Sequence, residues 1–269
     1  MPLFILKDDY SGISFENNLT YTEAFNPYTY RNFYNGAGVS IGDINNDGLN
    51  DIYFTGNMVD NKLFLNEGNW RFKDITSEAG VSCPNIWSTG ATFVDINGDG
   101  LLDLYVCKSG MPGGSNRHNE LFINNGDLTF TESSKEYGLD IEGLSVQAAF
   151  FDYDKDGDLD AYILNNSVRS IGSFALIEDQ RIVPDTTGSG NKFLRNEDGV
   201  FTDITETTGI YSSKIGFGLG ITLGDDNNDS WTDIFVSNDF IEKDYLYLND
   251  QKGGFTEQME TYFESISMG

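Results

Sequence analysis

Four acidic segments of nine residues hold the side chains best suited to chemistry in this chain of 269 residues. The first runs from Asp43 to Asp51 and reads DINNDGLND, and the others begin at Asp95, Asp152 and Asp225. Each segment has an oxygen-bearing side chain at positions 1, 3, 5 and 9. This spacing turns alternate side chains of a tightly wound loop towards one hard cation, and the backbone carbonyl at position 7 is a further ligand.

The spacing predicts up to four Ca²⁺ ions, one in each segment. Carboxylates packed this closely repel one another unless a cation neutralises them, and an all-protein oxygen cage suits Ca²⁺ better than Mg²⁺. A metal-free turn is the alternative for any single copy, because Asp and Asn are also turn residues. An EF-hand fails because position 12 of the first copy is Phe54 rather than Glu, and because the flanks are rich in β-formers. The predicted ligands are Asp43, Asn45, Asp47, Leu49, Asp51, Asp95, Asn97, Asp99, Leu101, Asp103, Asp152, Asp154, Asp156, Asp158, Asp160, Asp225, Asn227, Asp229, Trp231 and Asp233.

The repeat extends beyond the acidic segments, and its order predicts the fold. A short apolar phrase precedes each segment, a triplet of β-formers follows it, and a third phrase reads N-x-L-F-x-N in the first two copies. Four short strands in each repeat predict an all-β β-propeller of four-stranded antiparallel blades, with a sandwich as the alternative. The fourth phrase begins at Phe72, Phe130, Phe201 and Phe255. The blades are predicted at about 36–81, 88–139, 145–210 and 216–260.

Both ends of the chain indicate a ring larger than four blades. In the N-terminal segment, residues 1–35, Phe4 lies eight residues before Gly12-Ile13. The fourth phrase has the same spacing to its Gly, so this segment predicts a ring-closing strand. Residues 265–269 resemble the first phrase of a repeat and predict the start of a further blade. We therefore expect the four blades to be part of a truncated, larger propeller.

Composition limits the partners and the location. A net charge of -27 argues against nucleic acid or an anionic membrane surface as a partner. No apolar run has the length of a transmembrane helix, and residues 2–6 are too short and lack the basic flank of a signal peptide. We expect an extracellular or cell-surface location, with a signal absent from this numbering. Cys83 and Cys107 are interpreted as buried free thiols, and a disulfide between them stays open.

Two links between the second and third phrases are longer than the others, at 108–118 and 164–190. Insertions in a repeat fold collect on one face, which is often the binding face, so we expect recognition there. The apolar run 170–177 within the second link either contacts a partner or packs on the propeller wall.

The repeats resemble the FG-GAP or VCBS repeats of integrin-α-type propellers. They are most similar to bacterial surface proteins that pair such repeats with an ASPIC/UnbV module. The resemblance covers about residues 36–258 and rests on the acidic loop, the N-x-L-[YF]-x-N phrase and the F-x-D-[IV]-T phrase. It implies calcium ligation by the acidic loops, about seven blades and a non-catalytic protein. It also implies an extracellular or surface-anchored protein, in bacteria often an outer-membrane lipoprotein. Ser230 at position 6 and the missing Gly after Phe255 depart from the pattern.

Catalysis finds little support in the sequence. His118 is the single histidine, and neither cysteine has a histidine near it in sequence, so a nucleophilic triad is disfavoured. His118 is interpreted as an exposed loop residue. The predicted function is a non-catalytic, calcium-binding propeller at the cell surface that binds a protein or glycan through its inserted loops. The alternative is a calcium-dependent polysaccharide lyase, with a Tyr or Lys as base, or another enzyme that acts on acidic glycans. The 14 tyrosines leave the lyase open.

Overall fold

A computed structural model describes residues 8–110, 116–167, 181, 190–213, 215–239 and 242–263 of the chain. These residues divide into two units, one that ends at Ser134 and one that begins at Lys135. Each unit contains two four-stranded antiparallel sheets in which the spatial order of the strands follows their order in the chain. Within the ranges given above, no helix has the length and apolarity needed to cross a membrane.

In the first unit, one sheet is formed by the first repeat and the other by the second. The first sheet consists of β1 (Val39–Gly42), β2 (Asp51–Phe54), β3 (Lys62–Asn66) and β4 (Phe72–Asp74). The second consists of β5 (Ser88–Val94), β6 (Asp103–Lys108), β7 (Glu120–Asn124) and β8 (Phe130–Glu132).

The second unit repeats this arrangement. Its first sheet consists of β9 (Ser145–Phe151), β10 (Asp160–Asn165), β11 (Lys192–Glu197) and β12 (Val200–Asp203). Its second consists of β13 (Gly218–Gly224), β14 (Asp233–Asn238), β15 (Tyr245–Asn249) and β16 (Phe255–Glu257). Four antiparallel four-stranded sheets confirm the predicted all-β fold with the blade architecture of a β-propeller.

A one-turn helix follows the last strand of each sheet. These helices are α2 (Thr76–Ala79), α3 (Ser134–Tyr137), α4 (Thr205–Thr208) and α5 (Met259–Tyr262). The F-x-D-[IV]-T phrase encodes the turn into the helix, as the first copy shows. One carboxylate oxygen of Asp74 accepts hydrogen bonds from the backbone N–H and the hydroxyl of Thr76. The same Thr76 hydroxyl accepts a bond from the N–H of Leu63, which fixes the helix against β3.

The glycine after the helix allows a close approach to the neighbouring sheet. In the second unit, a Cβ on Gly138 would lie 2.5 Å from the carbonyl oxygen of Phe201, and Gly138 has a φ of +73°. The N-terminal segment has the same feature in the first unit. Helix α1 (Asp8–Ser11) precedes Gly12, whose φ is +78° and whose Cβ would lie 2.5 Å from the carbonyl oxygen of Phe72. The ring-closing strand predicted around Phe4 and the strand predicted at 265–269 lie outside the described residues and stay predictions.

The first Asn of the N-x-L-F-x-N phrase joins the middle strands of a sheet. Asn61 donates from Nδ2 to the hydroxyl of the fully buried Tyr53 and accepts the N–H of Gly56 at Oδ1. Asn119 makes the equivalent bonds to the hydroxyl of Tyr105 and the N–H of Lys108. The phrase therefore satisfies buried polar groups as well as supplying apolar strand residues.

Cys83 and Cys107 are buried free thiols, in agreement with the interpretation preferred from the sequence. Burial raises the pKa of both thiols well above its usual value. Such thiols pack as small apolar groups and are poor nucleophiles.

Candidate metal-binding loops

Each acidic segment forms a loop between the first and second strands of its sheet. Positions 4 and 6 of every loop have the left-handed backbone that winds the chain around the loop interior. At position 4 the φ values are 58° for Asn46, 72° for Gly98, 64° for Lys155 and 62° for Asn228. At position 6 they are 86° for Gly48, 85° for Gly100, 101° for Gly157 and 70° for Ser230. The departure at Ser230 therefore leaves the shared conformation in place.

The carboxylates at positions 1 and 5 face the interior of the loop. In the first loop, the two oxygens of Asp43 accept the N–H groups of Asp47 at 3.1 Å and Gly48 at 2.7 Å. Asp47 Oδ1 in turn accepts the N–H of Leu49 at 2.8 Å. The second and fourth loops make the same three bonds. Backbone and side chains thus form one turn in which the first and fifth side chains lie together.

The third loop differs, and it provides the strongest test of whether a cation fits. Asp152 accepts the N–H of Gly157, but its Oδ1 has no hydrogen-bond partner although it is buried. Asp152, Asp154 and Asp156 each offer one carboxylate oxygen, and these three oxygens lie within 4.8 Å of one another. Buried carboxylate oxygens without a donor are costly unless a cation compensates them. The donor set, all oxygen and strongly anionic, is the one that Ca²⁺ prefers.

Asp158 at position 7 adds a further acid to the third loop. Its Oδ1 is also buried without a hydrogen-bond partner. Burial, with the negative charges of Asp156, Asp154 and Asp152, raises the pKa of Asp158 to about 6. The sequence predicted only the backbone carbonyl of this residue as a ligand.

The Asp at position 9 is more buried than the sequence indicated. Asp103 is fully buried, and its two oxygens accept the N–H groups of Ile96 at 3.1 Å and Asn124 at 2.8 Å. The other three copies make the same pair of bonds, through Asp51, Asp160 and Asp233. Burial raises the pKa of Asp103 to about 6 and that of Asp160 to about 7. Each oxygen keeps a second lone pair, so a role as metal ligand stays a prediction beside this structural one.

Loops of neighbouring sheets are tied together within each unit. In the first unit, Asn46 Nδ2 donates to the carbonyl of Gly100 at 2.9 Å, and Asn124 Nδ2 donates to the carbonyl of Ile44 at 2.8 Å. In the second unit, Lys155 Nζ lies 4.3 Å from the centroid of the Trp231 ring. Asn46 and Lys155, at position 4 of the first and third loops, therefore contact the adjacent loop, a role that the sequence did not reveal.

Two other sequence predictions have partial outcomes. His118 is half-buried rather than exposed, so its interpretation as an exposed loop residue is wrong; it lies two residues before β7. Of the two links predicted to act in recognition, the structure describes 108–110 and 116–118 of the first and 164–167, 181 and 190 of the second. The apolar run 170–177 lies outside the described residues.

Comparison with known proteins supports the repeat assignment. Residues 43–106 and 111–163 match the family model of an FG-GAP-like repeat. Together these segments contain the first three acidic loops. The resemblance to FG-GAP repeats is therefore confirmed for this part of the chain.

This chain aligns with parts of two longer relatives and of one solved structure. Cartilage acidic protein 1 of Mus musculus is 30% identical over 139 residues, which are 50% of this chain and 20% of that protein. The same protein of Xenopus tropicalis is 28% identical over 162 residues, or 59% of this chain and 23% of the relative. A solved Agrocybe aegerita lectin, described as recognising non-reducing terminal N-acetylglucosamine, aligns with a TM-score of 0.46 and 16% identity. That alignment covers 87% of this chain and 52% of the lectin.

Proposed function

Because this chain carries FG-GAP-like repeats, we propose that it is a non-catalytic, calcium-binding β-propeller protein that binds a protein or glycan outside the cell. The observation that carries the calcium proposal is the third loop. Its three carboxylates converge within 4.8 Å, and Asp152 Oδ1 is buried with no donor. The other loops share its left-handed positions, so the proposal extends to all four.

The proposed ligands are the side chains at positions 1, 3, 5 and 9 and the backbone carbonyl at position 7. A bound Ca²⁺ would supply positive charge that offsets the repulsion between these carboxylates. The chain itself prepares the loop. The Asp at position 9 accepts one backbone N–H from the start of the loop and one from the third strand, and so fixes the loop to its sheet. Positions 4 and 6 set the winding of the loop. Removal of the ion would leave the repulsion uncompensated at an exposed loop.

The extracellular location is supported by the relatives, whose name refers to cartilage, and by the repeat family. The finer proposal of a bacterial outer-membrane lipoprotein rests on the family resemblance alone. The chain spans 20% of the mouse relative, so the partner of the whole protein is likewise a proposal.

The binding proposal is preferred to the lyase because the repeated tyrosines are poorly placed to act as a base. Tyr53, Tyr105 and Tyr162 are fully buried within their sheets. Burial raises the pKa of Tyr53 and of Tyr162 well above its usual value, which disfavours the phenolate that a base requires.

Calorimetric titration of chelator-treated protein with CaCl₂ tests the proposal. We expect saturable binding at up to four sites, and loss of one site in Asp156→Asn, which changes the position 5 carboxylate that all four loops share. Asp198→Asn, in the exposed β11–β12 turn, removes the same charge away from the loops and should leave every site intact. Absence of calcium binding by the unaltered protein would refute the calcium proposal. Unsaturated product from a uronate polymer would refute its non-catalytic part.

A further inference from the structure

The third and fourth acidic loops, both in the second unit, differ in how the protein itself compensates their carboxylates. The third loop has Asp154 at position 3, where the other three loops have an asparagine that can donate a hydrogen bond. Asp152 Oδ1 and Asp158 Oδ1 are buried in this loop with no hydrogen-bond partner. Because buried carboxylate oxygens without a donor are costly, the third loop has the greater need of a cation.

The fourth loop receives a hydrogen bond from outside its own nine residues. Gln251, in the turn between β15 and β16, donates from Nε2 to Asp229 Oδ2 at 2.9 Å. The same oxygen accepts Asn227 Nδ2 at 3.0 Å, a bond that the first two loops also make at position 5. The first two repeats have Gly68 and Gly126 where the fourth has Gln251, since each of the three donates its N–H to the last asparagine of the third phrase. The amide from the turn is therefore an addition of the fourth repeat over the first two.

Lys155 places a positive charge of the third loop against the fourth. It stands at position 4 of the third loop, and its Nζ lies 4.3 Å from the centroid of the Trp231 ring at position 7 of the fourth loop. The N–H of Trp231, the Gln251 amide and the charge of Lys155 all lower the pKa of Asp229, which lies below its usual value. These groups stabilise the carboxylate without a cation, and the ammonium of Lys155 repels a cation that approaches.

We propose that the third loop binds calcium before the fourth, and that Lys155 and Gln251 set the lower affinity of the fourth loop. An ion in the fourth loop competes with the Gln251 amide for Asp229 and is opposed by the Lys155 ammonium, whereas the third loop offers carboxylate oxygens with no donor to displace. The second unit then holds an ion in the third loop at low calcium and responds to a rise in calcium through the fourth. The inference rests on the proposed function, because it ranks two of the proposed calcium sites.

Two variants install residues that other repeats already carry. Lys155→Asn removes the charge and gives position 4 the residue of the first and fourth loops, which tolerates the φ of 64°. Lys155→Arg keeps the charge and is its control. Gln251→Gly removes the amide and suits the φ of 60° there. Its control is Asn69→Gly, which places glycine at an exposed residue of the β3–β4 turn with a φ of 53°.

The experiment is a calcium titration of the chelator-treated full chain labelled with 5-fluorotryptophan and followed by ¹⁹F NMR. The resonance of Trp231, assigned with Trp231→Phe, reports on the fourth loop. We expect its midpoint to move to about threefold lower calcium in Lys155→Asn and in Gln251→Gly, the scale of an exposed charge pair or hydrogen bond. Both controls should keep the midpoint of the unaltered protein.

Calorimetry of a matched pair at position 5 gives the order of the two sites. Asp156→Asn in the third loop should remove a tighter site than Asp229→Asn removes from the fourth. Both substitutions replace one carboxylate by a carboxamide of the same shape, so the comparison is between loops rather than between side chains.

Three outcomes would overturn the inference. The first is a site lost in Asp229→Asn that is as tight as the one lost in Asp156→Asn. The second is an unchanged Trp231 midpoint in both Lys155→Asn and Gln251→Gly. The third is an equal shift in Lys155→Arg, because charge would then not be the cause. Each leaves the calcium proposal standing, whereas an unaltered protein that binds no calcium refutes that proposal and this inference together.

Discussion

Ser230 lies at position 6 of the fourth acidic loop, where the other three loops have glycine. Its φ of 70° lies in the left-handed region, beside values of 86°, 85° and 101° for Gly48, Gly100 and Gly157. A Cβ added to any of those three glycines meets no atom within 4 Å, so a side chain at position 6 has room. The cost of Ser230 is therefore a backbone cost, and Ser230→Gly should remove it.

The expected gain follows from the backbone preference. A non-glycine residue in the left-handed region costs on the order of 1 kcal/mol relative to glycine. Without a cation, the repelling carboxylates favour relaxation of this exposed loop, so the cost is incurred when the ion binds. Since 1.4 kcal/mol corresponds to a factor of ten, Ser230→Gly should tighten binding at the fourth loop by about fivefold. The unaltered fourth loop should also be the first to lose calcium during titration with a chelator.

Trp231 provides a site-specific readout, because it stands at position 7 of the fourth loop. Terbium bound in this loop would be sensitised by the adjacent indole, and displacement by calcium gives the affinity of that loop. Gly100→Ser is the reciprocal control and should weaken the second loop by a similar factor, measured by calorimetry. Equal affinities for the unaltered protein and Ser230→Gly would refute the strain argument, as would a Gly100→Ser protein that binds calcium normally.

Three further predictions test the loops and the fold separately. Excess EDTA should lower the melting temperature seen by calorimetry, because ligand at a hundredfold excess over Kd contributes about 2.7 kcal/mol; an unchanged temperature contradicts this. Asp103→Asn should cost about 1–3 kcal/mol in urea unfolding even with EDTA, because the carboxamide keeps an acceptor for only one of the two buried N–H groups. The exposed Asp99→Asn should act only with calcium present; equal effects would contradict the division of roles. Burial raises the pKa of Asp203, but bonds from Thr205 and Lys192 outweigh it and hold the pKa below its usual value. The stability that the Asp203 carboxylate contributes is complete above its unfolded pKa of about 3.9 and is lost as the pH falls through its lower folded pKa. Asp203→Asn should therefore reduce the loss of stability at acid pH, measured as the urea midpoint against pH.

The repeats made the sheets predictable. Each acidic segment is flanked by β-formers in a fixed order, and a pattern present four times is a stronger signal than strand propensity in any one copy. The left-handed position 6 was also predictable, because glycine there in three loops marks a conformation that Ser230 must share. Position 4 carries a weaker signal, because Asn46, Gly98 and Asn228 are of types that tolerate the left-handed region. Lys155 is not of such a type, and loop closure imposes φ there.

Tertiary contacts account for what the sequence did not reveal. The bond from Asn124 to the carbonyl of Ile44 joins residues 80 positions apart, and no local pattern reports such a pair. The N-terminal segment was expected to contribute a closing strand, yet Phe25, Tyr30 and Phe33 also pack around Trp87. This packing borders a cavity of about 370 Å³ in the first unit. The lining of the cavity comes from the N-terminal segment and three separate links, so its residues could not be grouped before the fold was known.

The acidic loops and the links that line the cavity lie at opposite ends of shared strands. Strand β2 begins at Asp51, whose carboxylate holds the first acidic loop to β3 through the N–H groups of Ile44 and Asn66. The link beyond its other end carries Asn57, which lines the cavity and donates to the carbonyl of Ser88. Calcium at one end of β2 would therefore stabilise the strand from which the cavity wall extends. The acidic loops are a repeated structural device, whereas the cavity is built from the links that vary between repeats, and that variation is where we place specificity.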